Sequence, residues 1–336
     1  MPKNLFLRTA GVLIAALALA ACGNNESSGG NAAGTGPATG TANTGGKPLT
    51  VGFIQTGAES AWRAANTNSV KSEAEKRGIK LDFISGEGDV DKQRAAMNTL
   101  ISEGVDVIIL DPLQNFGWDP SLKAAKSANI PVIIADRAID SNPDMYVCFI
   151  GSNFDEEGQR VGAWLAKKTD GKAQIVEIEG QTGSAAAVDR KKGFEEAISK
   201  YPDMKVIASK SGEFDTAKGK QVMEAFLKNP DLKGMTAVFA HNDDMALGAI
   251  QAIKEAGKKP GKDILVVSVD GEKAMVQAIA DGDANCTVEC KPLLGPALFD
   301  AAEKVAKGES VPKVTYSKEE LFDSSNAKEA VASRQY

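Results

Sequence analysis

The chain has 336 residues, 43% of them hydrophobic and 25% charged, which suits a soluble globular protein of two ordinary domains. A formal net charge of -6 and a pI near 5.2 argue against a nucleic-acid surface, which needs clustered Lys and Arg. With His241 as the single histidine, zinc chemistry and Ser-His or Cys-His nucleophile pairs have little to work with.

Lys3 and Arg8 precede an apolar run at 10–21 that is too short to span a bilayer comfortably and reads as a secretory signal. The run ends in Leu19-Ala20-Ala21-Cys22. Small residues before a cysteine have the pattern of a bacterial lipobox, in which the thiol is lipidated and cleavage leaves Cys22 first. Residues 23–46 are almost entirely Gly, Asn, Ser, Ala and Thr, a composition that buries no apolar surface and behaves as a flexible tether. About 24 such residues reach roughly 25–30 Å. The expected location is the cell envelope, outside the cytoplasmic membrane and held there by lipid.

Beyond the tether, short apolar runs alternate with helical stretches. A strand is expected at 49–54, then a helix at 61–77 stopped by Gly78. A strand at 79–84, a helix at 89–103 ended by Gly104, and a strand at 105–110 follow. A further helix leads to a strand at 131–135. The second half repeats the unit, with strands at 174–179, 205–209, 237–240 and 264–269. Glycine just past a helix end is the usual stop signal. Near-continuous apolar strands alternating with helices indicate parallel sheets covered on both faces. Two such series in a row predict an α/β fold of two doubly wound parallel-sheet lobes. In these sheets ligands sit at the carboxyl ends of the strands.

The residues after each apolar run are chemically of one kind. Glu59, Trp62 and Arg63 follow the first strand, Asp111 the third, and Asp136 and Arg137 the fourth. In the second series Arg190, Phe214, Asn242 and Asp270 occupy the corresponding segments. No metal-ligand spacing and no nucleophile beside a base accompany them. Asp, Asn and Arg present planar paired groups to adjacent hydroxyls, and aromatic faces cover the C–H-rich face of a sugar ring. Each residue alone has a structural explanation, since Asp after a strand caps helices and Trp62 can fill a core. Their recurrence at seven strand ends points to a polyhydroxylated ligand.

The motifs Val51-Gly52-Phe53, Gly104-Val105-Asp106, Pro131-Val132, Asp136-Arg137, His241-Asn242-Asp243-Asp244-Met245-Ala246-Leu247-Gly248 and Val269-Asp270-Gly271 carry a resemblance over 49–298. The chain resembles the periplasmic sugar-binding proteins of ABC importers, of the ribose-, galactose- and arabinose-binding superfamily. Gly57-Ala58-Glu59-Ser60-Ala61-Trp62-Arg63, Phe116-Gly117-Trp118 and Asp189-Arg190-Lys191-Lys192-Gly193-Phe194 are most similar to its galactofuranose-binding branch. The resemblance implies a first lobe of 48–151 with part of 272–336, a second lobe of 152–290, and a multi-strand hinge with crossings near 151 and 288. It implies that Trp62 stacks on the sugar, that Glu59 and Arg63 flank it, and that Asp136 and Arg137 grip hydroxyls. Asn242, Asp270 and Phe214 would complete the site from the second lobe, with Asp111 at its strand end beside them. Two departures stand out. Val188 replaces an arginine of pentose-binding relatives, leaving Arg190 either to reach the ligand or to brace the lobe, and Cys290 replaces a glutamine.

The implied protein is a monomer without cofactor or metal that closes on a monosaccharide and hands it to importer membrane subunits, with a lipid anchor at Cys22. A repressor of similar core needs a helix-turn-helix where this chain has Cys22 and its tether. A glycosidase needs two carboxylates flanking a scissile bond. Asp136 and Asp270 are candidates, but Arg137 beside Asp136 argues for ion pairing over acid catalysis, and the expectation is a non-enzyme. A sensor presenting sugar to a chemoreceptor or kinase is the alternative the sequence leaves open. Cys286 and Cys290, about 13 Å apart along one strand, lie beyond bridging distance. By the resemblance Cys148 and Cys290 sit on neighbouring hinge segments, so a bridge between them and three buried free thiols both remain open.

Overall fold

The computed structural model describes residues 47–336 apart from Glu59, so the expectations for the leader, the tether, Cys22 and Glu59 lie outside the described residues. The chain begins with β1 (Thr50–Gln55), α1 (Ala61–Arg77), β2 (Lys80–Ser85), α2 (Val90–Glu103), β3 (Val107–Leu110), α3 (Asp119–Ser127), β4 (Val132–Asp136) and β5 (Cys148–Gly151). It continues through α4 (Phe154–Lys168), β6 (Lys172–Glu179), α5 (Ala185–Ile198), β7 (Asp203–Ser211) and α6 (Thr216–Lys228). Next come β8 (Ala237–Ala240), α7 (Asp243–Glu255), β9 (Leu265–Asp270), α8 (Lys273–Asp281) and β10 (Cys286–Glu289). The last elements are α9 (Gly295–Ala306), β11 (Val314–Tyr316), β12 (Leu321–Asp323) and α10 (Ala327–Ala330).

The described strands form two six-stranded sheets, β11-β5-β4-β3-β1-β2 and β12-β10-β9-β8-β6-β7. All neighbours are parallel except β12, which runs antiparallel to β10. This is the pair of doubly wound lobes that the alternation of apolar runs and helices predicts. The chain passes between the sheets at 152–153 and 290–294, and again at 317–320.

Local chemistry accounts for the elements. Ser60 caps α1 by accepting from the Arg63 amide, and Gly78 ends it at φ +67° with its own amide bonded to Ala74 and Glu75 carbonyls. Asp89 and Gly104 do the same for α2. Strands β1, β3 and β4 are buried along their whole length. Phe53, Ile109 and Ile133 pack on one face with Leu298 and Phe299, while Ile54, Ile108 and Ile134 pack on the other with Met97 and Trp118. A sheet covered on both faces reads as an unbroken apolar run, which is why these strands were legible. The second core centres on Ile175, Val176, Phe194, Phe239 and Val267, and Trp62 of α1 packs into it from the other lobe.

The cysteine bridge is not formed. Cys148, Cys286 and Cys290 are all free and buried. Cys148 packs in the first core with Val51 and Phe53, whereas Cys290 belongs to the second core and turns its Sγ to within 3.4 Å of Ser152 Oγ. The two sulfurs are thus committed to different packing environments. Thiol titration of denatured, unreduced protein spanning 47–336 is expected to count three free thiols. A count of one, with a linked Cys148–Cys290 peptide, would contradict this arrangement.

Candidate functional site

A small cavity of about 30 Å³ lies between the carboxyl ends of the two sheets. Trp62 and Arg63 reach it from the first turn of α1, Asp136 and Arg137 from the end of β4. Arg190 comes from α5, Phe214 from the turn after β7, Asn242 from the N-cap of α7, and Asp270 from the end of β9. Every strand-end residue singled out in the sequence thus borders the cavity except Glu59, which is outside the described residues, and Asp111, which lies behind the wall. Ser60, Phe154, Ala186 and Cys290 also line it. Phe154 follows the crossing after β5, a buried apolar strand that the sequence reading did not mark, so the strand-end rule passed it by.

The first half of the site is organised around Arg63. Its guanidinium bonds Asp111, and its Nη2 donates to Asp136 Oδ2 at 2.9 Å. Arg137 Nε lies 3.7 Å from the same oxygen. All four side chains are buried. Asp111 is therefore a support: it fixes the arginine that faces the cavity. Asp136 holds a left-handed backbone at φ +60°, as do Phe214 at +61° and its neighbour Glu213 at +57°, while Asp270 sits at +130°. Such conformations cost about 1–3 kcal/mol each in non-glycine residues and gather at binding sites, where surrounding contacts hold them.

The second half repeats the device with Arg190. Its Nε donates to Glu157 Oε2 at 2.7 Å, its Nη1 to the His241 carbonyl at 2.6 Å, and its Nη2 lies 3.5 Å from Asp270 Oδ1. This placement needs α4 and α5 in backbone contact. A Cβ at Gly158 would sit 2.2 Å from the Arg190 carbonyl oxygen, and one at Gly193 2.0 Å from that of Asp155. Arg190 both braces the lobe and faces the cavity, whereas Val188 is turned to solvent. Asn242 caps α7 through the Met245 amide at 3.0 Å and also lines the cavity. Burial pushes the Asp270 carboxyl well above the usual range, with Arg190 opposing and the charges of Asp243 and Glu272 adding. His241 is absorbed by structure, with Nε2 at 3.1 Å from Glu177 and Nδ1 accepting from the Gly180 amide.

The two halves meet across the cleft. Trp62 Nε1 donates to the Cys290 carbonyl at 2.6 Å, and Arg137 Nη1 to Gln181 Oε1 at 3.3 Å. The Arg63 guanidinium lies 4.6 Å from the centre of the Trp62 ring, and that of Arg137 5.4 Å from the Phe214 ring. At the hinge Glu157, Cys290 and Glu319 bring one potential ligand atom each to within 4.8 Å. Burial and then the charge of Glu157 push Glu319 up to about 9, and Ser152 donates to it. At neutral pH Glu319 is thus protonated, and hydrogen bonding holds the crossings together. Planar arginine, carboxylate and amide groups beside three aromatic rings can hold a small polyol in a fixed pose.

The comparisons with known proteins agree with this geometry. Residues 51–310 match the family model described as a periplasmic binding protein domain. The galactofuranose-binding protein YtfQ of Escherichia coli (strain K12) is 48% identical over 286 residues, covering 84% of this chain and 90% of that protein. The periplasmic binding protein component of an arabinose ABC transporter from Shewanella sp. ANA-3, bound to α- and β-L-arabinofuranose, superposes with a TM-score of 0.83. It is 46% identical and covers 85% of this chain and 96% of its own. A protein from Mycobacterium smegmatis in complex with β-D-fucofuranose gives the same TM-score at 51% identity, covering 86% and 95%. With its two lobes, its interlobe cavity and these relatives, the chain belongs to the periplasmic binding protein family.

Proposed function

We propose that this protein binds a monosaccharide in its furanose form between the lobes and delivers it to the membrane subunits of an ABC importer, without catalysis. The observation that carries the reading is the shared wall of the cavity: Asp136 and Arg137 from one sheet, Asn242 and Asp270 from the other, with Trp62 and Phe214 beside them. Furanoses named with the relatives above narrow the sugar class. Glu59 and Arg63 flank Trp62 in this reading, and Arg190 holds Asp270 toward the ligand.

The mechanism is closure. Each open lobe carries half a site, and a sugar that bonds to both favours the shut form, shifting the population toward it. Closing also excludes water, which strengthens the hydrogen bonds inside. The membrane subunits then read the closed outline. The protein works as a monomer in the cell envelope, held by lipid on Cys22 through the tether at 23–47.

Two measurements test this. Two or more acyl chains at Cys22 give stable attachment, so Cys22→Ala is expected to release the protein from the membrane fraction; retention after alkaline washing would overturn the anchor. Calorimetric titration of 47–336 against furanoses and pyranoses is expected to show saturable binding with furanose preference. Trp62→Ala should cost about 1–3 kcal/mol of affinity, and Asp136→Ala and Asp270→Ala about 2–4 kcal/mol each. No sugar binding, or unchanged affinity in all three folded variants, would overturn the site.

A further inference from the structure

Helix α1 brings Trp62 and Arg63 to the cavity, and its N-terminus has an unusual set of partners. The first amides of any helix lack intrahelical acceptors and need them from elsewhere. Ser60 Oγ accepts from Arg63 N at 3.1 Å, and the first helical bond runs from Ala64 N to the Ser60 carbonyl. Of the two amides left over, one is bonded to the opposite lobe and the other lies near it. Ala61 N donates to Asp244 Oδ2 at 2.9 Å, and the Trp62 amide faces the Glu272 carboxyl. Like α5, α6, α8 and α9, helix α1 carries no acidic residue in its own first turn. The positive end of its dipole meets the carboxyl group of Asp244, and beside it lies the Glu272 carboxyl, pushed up to about 9 by burial and then by the charges of Asp244 and Asp243.

Those carboxylates are placed for the task. Asp244 stands in the first turn of α7 and is steadied by Thr216 Oγ1 at 3.0 Å. Glu272 occupies the N-cap position of α8 yet makes no side-chain bond to that helix, lying instead against Asp244 and the Trp62 amide. Asp243 next door is consumed within its own lobe by Ser268, Thr287 and the Glu272 amide. Neither Asp244 nor Glu272 lines the cavity.

We infer that Asp244, backed by Glu272, is a positioning pair that latches the N-terminus of α1 when the cleft shuts, seating Trp62 and Arg63 against the ligand without touching it. The inference rests on the sugar-binding reading for its purpose and on the cross-lobe amide contacts for its existence. When the lobes part, the amides and carboxylates return to water. The latch therefore favours the shut form alone, and only such interactions shift the equilibrium.

The test uses the full chain purified in detergent, with L-arabinose and D-galactose as probes, since their solutions contain furanose forms. Amide hydrogen exchange is followed at Ala61 and Trp62 in the wild type and in Asp244→Ala, Asp244→Asn and Glu272→Gln, alongside affinity and thermal melting. Sugar is expected to slow exchange at both amides in the wild type. Asp244→Ala should weaken affinity roughly 5- to 30-fold and lose that protection. Asp244→Asn, near-isosteric and still an acceptor, should fall between the two with an unchanged melt, and Glu272→Gln, which keeps an uncharged acceptor, should weaken binding least of the three. Wild-type affinity and full amide protection in Asp244→Ala or, if that variant does not fold, in Asp244→Asn would overturn the latch. If neither sugar binds the wild type, the sugar reading fails separately, and the latch is decided without ligand: faster exchange at Ala61 in Asp244→Asn upholds it, and equal exchange overturns it.

Discussion

The buried guanidinium of Arg63, held between Asp111 and Asp136, is the contact on which the rest of the site depends. It joins the start of α1 to the ends of β3 and β4, so three elements of the first lobe are fixed relative to one another at the wall of the cavity. A buried ion pair adds little net stability over an apolar equivalent, yet removing one partner leaves an uncompensated charge at a cost of about 3–5 kcal/mol. Such a network enforces geometry more than it adds stability. Trp62 precedes Arg63 in the chain, and its ring orientation follows from the same anchoring.

The second lobe solves the same problem independently. Arg190 is held by Glu157 and by the His241 carbonyl, and it steadies Asp270. Each lobe thus presents an arginine already neutralised by carboxylates, together with an aromatic ring and a polar strand end. The charges of each half are thus paired within the protein itself. Ser152, Cys290 and Glu319, one from each passage between the sheets, meet at the hinge.

Most of the fold was legible because its signals are local. Gly78 and Gly104 end helices in left-handed conformations that the sequence marks by glycine alone, and the fully buried strands β1, β3 and β4 carry unbroken apolar runs. The edges were not legible. Strand β11 is three exposed residues, and β12 has one buried residue, Phe322, so neither shows a periodicity. The third passage between lobes, at 317–320, went unforeseen for the same reason. Around the cavity, strand-end position identified residues near its wall but could not separate lining from support. Asp111 and Asp136 follow apolar runs alike, and only tertiary packing puts one behind Arg63 and the other on the cavity wall. The cysteines failed to pair for a reason no spacing reveals, namely that Cys148 and Cys290 turn into different cores.

The most direct test of the account is a crystal structure of 47–336 grown with L-arabinose or D-galactose. It should show one furanose ring within the cavity bordered by Trp62 and Phe214. Its hydroxyls should be bonded to side chains of both lobes, Asp136 or Arg137 from one and Asn242 or Asp270 from the other. A sugar seated outside this cavity, or held by residues of a single lobe, would contradict it.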